Sequence, residues 1–330
     1  MPERILVRLP NWLGDLMLSR PLLHAVRAGR PEAELSAVAP GALLDLIAGE
    51  GLFARLHAWT SHGSERDAVL REVRAWRPDV ALVLPPSFSS ALFAWRCGAA
   101  RRIGYRHDGR GPLLNRALRR PPRGDLHLSL EYLALGAELG ARPGPLPRLK
   151  VPAHAVERSA SFLARLGSGA GRLALLAPGA AYGPAKRWPL DRFAAVGCHI
   201  ARRGLSVLVC GAASERAECE RVAREAGAGI SSVAGDTDLP LQAALCAQAA
   251  IVVSNDSGLA HLAAAAGAPT VVVFGSTSSA WTAPLGSRVR VLQHAPVCAP
   301  CFQRTCRIGY RCLHAVTVDE ACRACDELVA

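Results

Sequence analysis

Residues 249–274 read AAIVVSNDSGLAHLAAAAGAPTVVVF, and this order of residues decides how the second half of the chain folds. Two apolar runs, 249–253 and 270–274, enclose the polar cluster NDSG at 255–258 and an alanine-rich stretch. The pattern predicts a buried strand, a tight turn, a helix over 258–267 and a second buried strand, which together form a parallel βαβ unit. Because open parallel sheets bind ligands beyond the carboxyl ends of their strands, the NDSG turn is a candidate binding site.

The same alternation of short apolar strands and helices recurs along the 330 residues of the chain. In the first half it predicts strands over 4–9, 36–39 and 80–84, and helices over 16–28, 66–76 and 126–140. In the second half it predicts strands over 173–177 and 206–210, and helices over 190–203, 214–226 and 240–248. Residues 101–124 stand apart, because they are rich in arginine, glycine and proline and show little periodicity. We therefore predict an α/β protein of two Rossmann-like, doubly wound domains, over residues 1–155 and 170–330.

The composition is strongly basic. The formal charge is +12, from 39 Lys and Arg residues against 27 Asp and Glu, and lysine stands only at Lys150 and Lys186. Such an excess suggests an anionic partner, either nucleic acid, a phosphorylated small molecule or a membrane surface, although solubility in an arginine-rich proteome would also account for it. No apolar stretch reaches the roughly 18 residues of a membrane-spanning helix. Residues 1–17 lack a signal-peptide pattern, so we expect a cytoplasmic protein with at most peripheral membrane contact.

Two further polar turns follow predicted strands of the second domain. Residues 178–189 read PGAAYGPAKRWP, in which glycines permit close backbone approach and Lys186 and Arg187 supply positive charge. Residues 210–215 read CGAASE and end in Glu215, a carboxylate suited to holding ribose hydroxyls. Together with the NDSG turn, these loops suit a nucleotide that carries a diphosphate.

At the NDSG turn, Asp256 or Ser257 can cap the following helix, and Gly258 lets a ligand approach the backbone. The free N–H groups of the helix N-terminus favour a phosphate. The G-x-G-x-x-G fingerprint and the G-x-x-x-x-G-K-[ST] loop are both absent, which argues against a nicotinamide dehydrogenase and a P-loop NTPase.

Four blocks of sequence carry a family resemblance: PNWLGDLMLS at 10–19, LPPSFSSA at 84–91, PGAAYGPAKRWP at 178–189 and NDSGLAH at 255–261. They resemble the ADP-heptose:lipopolysaccharide heptosyltransferases of glycosyltransferase family 9, most closely the type II enzymes. The resemblance implies a GT-B fold, with the acceptor on one domain and the donor on the other across a cleft. It also implies a metal-independent, inverting transfer of L-glycero-D-manno-heptose from ADP-heptose to the first heptose of the inner core. A sister enzyme of type I or III, with another acceptor or donor sugar, is the alternative.

The resemblance also assigns roles to individual residues. It makes Asp15 the base that deprotonates the acceptor hydroxyl, although Asp15 could instead only cap the helix over 16–28. It makes Lys186 the cation that neutralises the departing diphosphate. We expect the Asp256 carboxylate to meet a sugar hydroxyl or to cap the helix. The expected donor-binding residues are Gly179, Lys186, Arg187, Glu215, Asp256, Ser257 and Gly258.

The basic segment 101–123 is expected to lie near the acceptor, a lipid A–Kdo–heptose at the cytoplasmic face of the inner membrane. Arginine suits phosphate and carboxylate groups, and no acid occurs from 110 to 123, but an ordinary solvated charge run is the alternative. We expect His261 to be a buried core residue, and Trp12 and Trp188 either to stack on a ligand or to pack. The expected acceptor-binding residues are Asn11, Trp12, Arg101, Arg102 and Arg106.

Six of the eleven cysteines lie in a tail over 298–325. Their spacing resembles that of structural zinc sites, whereas a reducing compartment argues against disulfides. A zinc ion bound by Cys298, Cys301, Cys306 and Cys312 would stabilise the fold of the tail and take no part in catalysis. No cofactor is expected for catalysis.

Two function classes remain as alternatives to an enzyme. A nucleotide-binding module without catalysis would bind ADP but never release it from ADP-heptose. A nucleic-acid binder would show salt-dependent affinity for arbitrary DNA that ADP does not affect.

Overall fold

The computed structural model describes residues 2–60, 62–167 and 172–329. The chain forms two compact units, Met1–Pro147 and Arg148–Ala330. The first unit therefore ends before residue 155, because the helix over Ala153–Arg165 buries Phe162 and Leu163 in the core of the second unit. The predicted start of the second domain, residue 170, lies outside the described residues.

In the described part of the first unit, six strands form one sheet, and every pair of neighbouring strands is parallel. The strands are β1 (Arg4–Arg8), β2 (Glu34–Ala39), β3 (Arg55–Ala58), β4 (Val80–Val83), β5 (Arg101–Arg106) and β6 (Arg116–Arg119). The helices are α1 (Leu13–Gly29), α2 (Gly41–Ile47), α3 (Gly63–Trp76), α4 (Phe88–Arg96) and α5 (Leu128–Ala137). The strand order is β3-β2-β1-β4-β5-β6, so the chain reverses direction across the sheet between β1 and β4.

The second unit repeats this plan. Its strands are β7 (Leu173–Ala177), β8 (Ser206–Val209), β9 (Ser231–Ser232), β10 (Ala249–Asn255), β11 (Thr270–Val273) and β12 (Val289–Leu292). Its helices are α6 (Ala153–Arg165), α7 (Leu190–Arg202), α8 (Arg216–Ala226), α9 (Leu239–Gln248), α10 (Gly258–Ala265), α11 (Ser279–Thr282), α12 (Arg311–Ala315) and α13 (Val318–Val329). The order β12-β11-β10-β7-β8-β9 matches that of the first sheet when it is read from the other edge.

Both sheets thus have the strand order of the Rossmann fold, and each has a switch point between its first and fourth strands. The central strands are apolar on both faces because helices cover both sides of a parallel sheet. β7, with the sequence LALLA, is buried along its whole length, and β10 is buried apart from Ala250. The crevices that such sheets offer to ligands lie at the carboxyl ends of β1 and β4, and of β7 and β10.

Two local expectations need correction. Residues 101–124, which show little periodicity, contain β5 and β6. In β5 the apolar side chains of Ile103 and Tyr105 are buried. The charged residues of β6 are tolerated because β6 is an edge strand. Helix α1 begins at Leu13 rather than at residue 16, since the carbonyl of Trp12 already accepts a hydrogen bond of 2.9 Å from the Leu16 amide.

Candidate active site

The loops after β7 and β10 meet at the switch point of the second unit. Lys186 ends a short 3₁₀ helix, Pro184–Lys186, in the first loop, and Asp256 opens the second. Lys186 Nζ lies 2.6 Å from Asp256 Oδ2, and the Thr277 hydroxyl donates a hydrogen bond of 2.5 Å to the same oxygen. The Asp256 side chain is 2% exposed and that of Lys186 is 14% exposed. An ammonium group has three N–H donors and Asp256 occupies one, so an anionic ligand can accept hydrogen bonds from the others.

Asn255 fixes the geometry of this ion pair, a role that was not assigned from the sequence. Its side chain is fully buried, and its Oδ1 accepts a hydrogen bond of 3.0 Å from the Trp188 backbone amide. Its Nδ2 donates one of 2.6 Å to the Pro178 carbonyl. One amide therefore ties both ends of the 178–189 loop to the end of β10. The signal in the sequence was an amide placed directly at the end of an apolar strand.

Asp256 does not cap helix α10, so that expectation is wrong. The N-cap position belongs to Ser257, whose side chain makes no capping hydrogen bond and lies instead 3.1 Å from the Ser254 hydroxyl. Asp256 cannot cap because its carboxylate is directed at Lys186 and Thr277. The first amides of α10, beginning at Gly258, are thus left without a side-chain cap, which suits an anion.

Glu215 lies directly over Gly179, so the loops after β7 and β8 are also in contact. Any Cβ atom placed on Gly179 would overlap the Glu215 carboxyl group. The Glu215 Oε2 atom accepts a hydrogen bond of 2.9 Å from the Ala212 amide, which holds the carboxylate in this place. Five of the expected donor-binding residues, on three strand-end loops, therefore gather at this edge of the sheet: Gly179, Lys186, Glu215, Asp256 and Ser257.

Arg187 is directed away from the Lys186–Asp256 pair. Its Nη1 lies 3.4 Å from Glu218 Oε1 of α8, and its Nε donates a hydrogen bond of 3.3 Å to the Ala180 carbonyl. A cavity of about 300 Å³ on this side is lined by Arg187 and Glu218 among others, but not by Lys186 or Asp256. Arg187 therefore orders the loop through the ion pair with Glu218.

Trp188 and His261 are both buried, as is typical of core residues. Trp188 is 1% exposed, and its Nε1 donates a hydrogen bond of 3.1 Å to the Val316 carbonyl while its ring packs edge-on against Phe193. His261 is 5% exposed within α10.

The cysteine tail does not form the expected zinc site. Among residues 2–60, 62–167 and 172–329, no three His, Cys, Asp or Glu side chains are grouped so that they could hold a metal ion. Cys306 Sγ accepts hydrogen bonds from the amides of Ile308, at 3.4 Å, and Tyr310, at 3.3 Å, and these lower the pKa of the thiol. Cys312, in contrast, is buried in a hydrophobic core cluster of the second unit, whereas Cys298 is exposed.

In the first unit, Asp15 lies in the first turn of α1, beyond the carboxyl end of β1. The N-cap position of α1 belongs to Trp12, whose side chain is 62% exposed, so the alternative that Asp15 caps this helix is wrong. Asp15 lies close enough to Tyr132 of α5 to affect its titration. Burial, and after it the negative charge of Asp15, raise the pKa of Tyr132 well above its usual value.

The loop between β1 and α1, which precedes Asp15, is held by Arg8, a buried residue that was not singled out from the sequence. Arg8 Nη2 donates a hydrogen bond of 2.7 Å to Asn11 Oδ1, and Nη1 donates one of 3.2 Å to the Val38 carbonyl. Burial, assisted by the charge of Arg66, lowers the pKa of Arg8 to about 10. The oxygen of Asn11 is thus engaged in fixing the loop between β1 and α1.

The three expected acceptor-binding arginines lie at different edges of the first sheet. Arg101 and Arg102 begin β5, at the amino edge, and donate hydrogen bonds of 2.8 Å to the carbonyls of Glu138 and Leu113. Arg106 ends β5, at the carboxyl edge, where it is exposed. The sheet therefore brings Arg106, but not Arg101 or Arg102, to the edge that carries Asp15.

Arg110 orders the other loop at this switch point, the one that follows β4. It is fully buried, its Nε donates a hydrogen bond of 2.8 Å to the Tyr105 carbonyl, and its Nη1 donates one to the carbonyl of Pro85. Burial lowers the pKa of Arg110 to about 10. In the sequence it was only one member of a charge run, because a pattern of charges does not tell a buried arginine from a solvated one.

Comparison with known proteins now identifies the family. The model of glycosyltransferase family 9 (heptosyltransferase) matches residues 66–311. The chain belongs to this family. It is 31% identical over 306 residues to the lipopolysaccharide heptosyltransferase 2 of Escherichia coli K12, and the match covers 88% of each chain. It is also 29% identical to the lipopolysaccharide heptosyltransferase 1 of Pseudomonas aeruginosa, over 92% of this chain and 87% of that protein.

The fold agrees with this assignment. The solved structure of the E. coli ADP-heptose lipopolysaccharide heptosyltransferase II superposes with a TM-score of 0.84 and 28% identity, over 99% of this chain and 98% of that one. The chain is thus a glycosyltransferase with the two Rossmann-like units of the GT-B fold. None of the helices in the described parts of the chain is both long and apolar enough to cross a membrane.

Proposed function

We propose that this glycosyltransferase moves L-glycero-D-manno-heptose from ADP-heptose onto the first heptose of the lipopolysaccharide inner core, a type II activity. The observation that carries the proposal is the Lys186–Asp256 ion pair beside the uncapped N-terminus of α10, at the switch point of the second sheet. The similarity to a lipopolysaccharide heptosyltransferase 2 over 88% of the chain favours type II. The similarity to a heptosyltransferase 1 keeps type I as the second candidate.

The donor half of the reaction falls to the second unit. In the proposed complex, the diphosphate lies against Lys186 Nζ and the first amides of α10, where Ser257 and Gly258 stand. The Glu215 carboxylate, which is already oriented by the Ala212 amide, accepts hydrogen bonds from the ribose hydroxyls. As the bond between the anomeric carbon and the phosphate oxygen breaks, that oxygen keeps the electron pair, and Lys186 and the α10 amides stabilise the new charge.

The acceptor half falls to the first unit. The acceptor hydroxyl oxygen forms the new bond to the anomeric carbon on the face opposite to the departing ADP, which inverts the configuration. The Asp15 carboxylate receives the hydroxyl proton during this attack. No step of this sequence routes electrons or protons through a metal ion.

Acceptor recognition is proposed for residues at the carboxyl edge of the first sheet. The exposed indole of Trp12 can cover a sugar face, and Arg106 can bind the phosphate or Kdo carboxylate of the core. Asn11 can contribute its amide nitrogen, because its oxygen is bonded to Arg8. The acceptor, lipid A–Kdo–heptose, would be met at the cytoplasmic face of the inner membrane, with the protein bound peripherally.

The test is ADP release by the purified protein with ADP-heptose and three defined acceptors, which carry no heptose, one heptose or two. The proposal expects turnover with the one-heptose acceptor and little with the others. Preference for the heptose-free acceptor would indicate type I, and preference for the two-heptose acceptor would indicate type III. A protein that binds ADP but releases no ADP from ADP-heptose with any of the three acceptors would contradict the proposed enzyme activity and favour a nucleotide-binding module.

A further inference from the structure

Residues 302–304 of the cysteine tail form a strap that is bonded to the donor loop 178–189 through its backbone. The Ala185 amide donates a hydrogen bond of 3.0 Å to the Arg304 carbonyl, and the Tyr182 hydroxyl donates one of 2.5 Å to the Phe302 carbonyl. Gly183 permits this approach, because its φ of 146° favours glycine and a Cβ there would lie 2.7 Å from the Arg304 oxygen. These hydrogen bonds therefore hold the strap against the loop that carries Lys186.

The cations of the donor loop itself are already neutralised. Lys186 is paired with Asp256, and Arg187 is paired with Glu218. Each pair has a net charge of zero, whereas a nucleoside diphosphate is an anion. These two pairs alone therefore supply hydrogen bonds to a diphosphate but no net charge to attract it.

Arg304 is placed to supply that charge. Its Nε donates a hydrogen bond of 2.8 Å to the Tyr182 carbonyl, and its guanidinium carbon lies 5.5 Å from the centre of the Tyr182 ring. Lys186 Nζ lies 5.0 Å from the centre of the same ring, so both cations border one side chain. Within the described residues no carboxylate pairs with Arg304, and only its Nε is engaged, so the two terminal amino groups can reach an anion.

We propose that Arg304 is a second cation for the diphosphate of the donor, which makes the cysteine tail part of the donor site. The inference rests on the proposed function, because it places the diphosphate beside Lys186. With Arg304 included, the Lys186–Asp256–Arg304 group carries a net positive charge. The planar guanidinium, oriented by the Tyr182 carbonyl and ring, can bind two phosphate oxygens at once.

The test compares ADP and adenosine binding, by calorimetry and by NMR titration respectively, for the wild type, Arg304→Gln and Arg304→Lys. Arg304→Gln should weaken ADP binding roughly tenfold and leave adenosine binding unchanged, since adenosine has no phosphate. Arg304→Lys should retain most of the ADP affinity. Arg307→Gln is the matched control, because Arg307 is exposed in the same segment, and it should bind ADP like the wild type.

An ADP affinity of Arg304→Gln within twofold of the wild type, at low salt, would overturn the inference while leaving the proposed function intact. An equal loss of ADP and adenosine affinity would also overturn it, because it would mean that Arg304 only supports the loop. A wild-type protein that does not bind ADP at all would overturn the proposed function, and this inference with it. Melting temperatures of all variants establish that each is folded when its affinity is measured.

Discussion

The substitution Asp256→Asn tests whether the buried ion pair positions Lys186 for catalysis. Asparagine keeps the shape of the side chain and can still accept the Thr277 hydrogen bond, but it removes the charge that holds the ammonium group 2.6 Å away. Lys186 is then a buried cation without its partner. We expect lower stability and a lower kcat, with an ADP affinity that is unchanged or stronger, because a negative charge beside the diphosphate has been removed.

The magnitude follows from the burial of the pair. Removing one partner of a fully buried ion pair costs about 3–5 kcal/mol. Lys186 keeps 14% of its side-chain exposure and can turn partly toward water, so we expect a loss of about 2–3 kcal/mol, or roughly 5–10 °C in melting temperature. A displaced Lys186 should raise the barrier to transfer by about 1–3 kcal/mol, which lowers kcat roughly 5- to 150-fold.

The assay combines thermal unfolding, ADP calorimetry and steady-state ADP release. Asp236→Asn is the matched control, because it breaks an ion pair of 2.8 Å with Arg216 in the same unit, where both side chains are about half exposed. Such a surface pair contributes about 0–1 kcal/mol, so this control should melt and turn over like the wild type. If Asp256→Asn behaves like the control in both stability and kcat, the ion pair does not position Lys186. If its kcat is retained but ADP binding is lost, Asp256 binds substrate directly.

Three further substitutions probe other contacts. Gly179→Ala should displace Glu215, because the new methyl group would overlap its carboxyl group, and KM for ADP-heptose should rise several-fold. Ala180→Gly is the control and should change KM less; equal KM values for the two variants would show that Glu215 does not bind the donor. Asp15→Ala should lower kcat by at least about 100-fold with ADP-heptose affinity nearly intact, whereas a near wild-type rate would exclude Asp15 as the base. Burial raises the pKa of Glu50, but the His24 ring 3.6 Å away and the Arg20 guanidinium, which donates hydrogen bonds to the carboxylate, outweigh burial and hold this pKa below its usual value. The Glu50 carboxylate therefore stabilises the fold above its unfolded pKa and loses that contribution as the pH falls. Glu50→Gln should therefore reduce the fall in stability as the pH drops below the usual pKa of a glutamate, and an unchanged profile would show that other carboxyl groups dominate acid unfolding.

The sequence alone determined the class of fold and the positions of the central strands. Apolar runs such as 173–177 and 270–273 were recognisable as strands, because a strand covered by helices on both faces carries apolar side chains on both faces. Strand β6 at the edge of the first sheet and its neighbour β5 were not anticipated. Their arginines are exposed or bond to backbone carbonyls, and a strand that carries such residues loses the apolar signal.

For the candidate site too, the sequence predicted some features and only the tertiary structure decided the others. The turns at 178–189 and 255–258 were recognisable because glycine, amide and charged side chains interrupt apolar runs at strand ends. That Lys186 pairs with Asp256, that Arg187 turns to Glu218 and that Arg304 returns to the donor loop were decided only by the tertiary structure. The pairing of Lys186 with Asp256 depends on β10 lying next to β7, with Ser254 opposite Ala177. Hydrophobic periodicity depends only on residues that are neighbours along the chain. The register of β10 against β7 depends on the crossover connections that bring distant strands together, and no local sequence pattern encodes those connections.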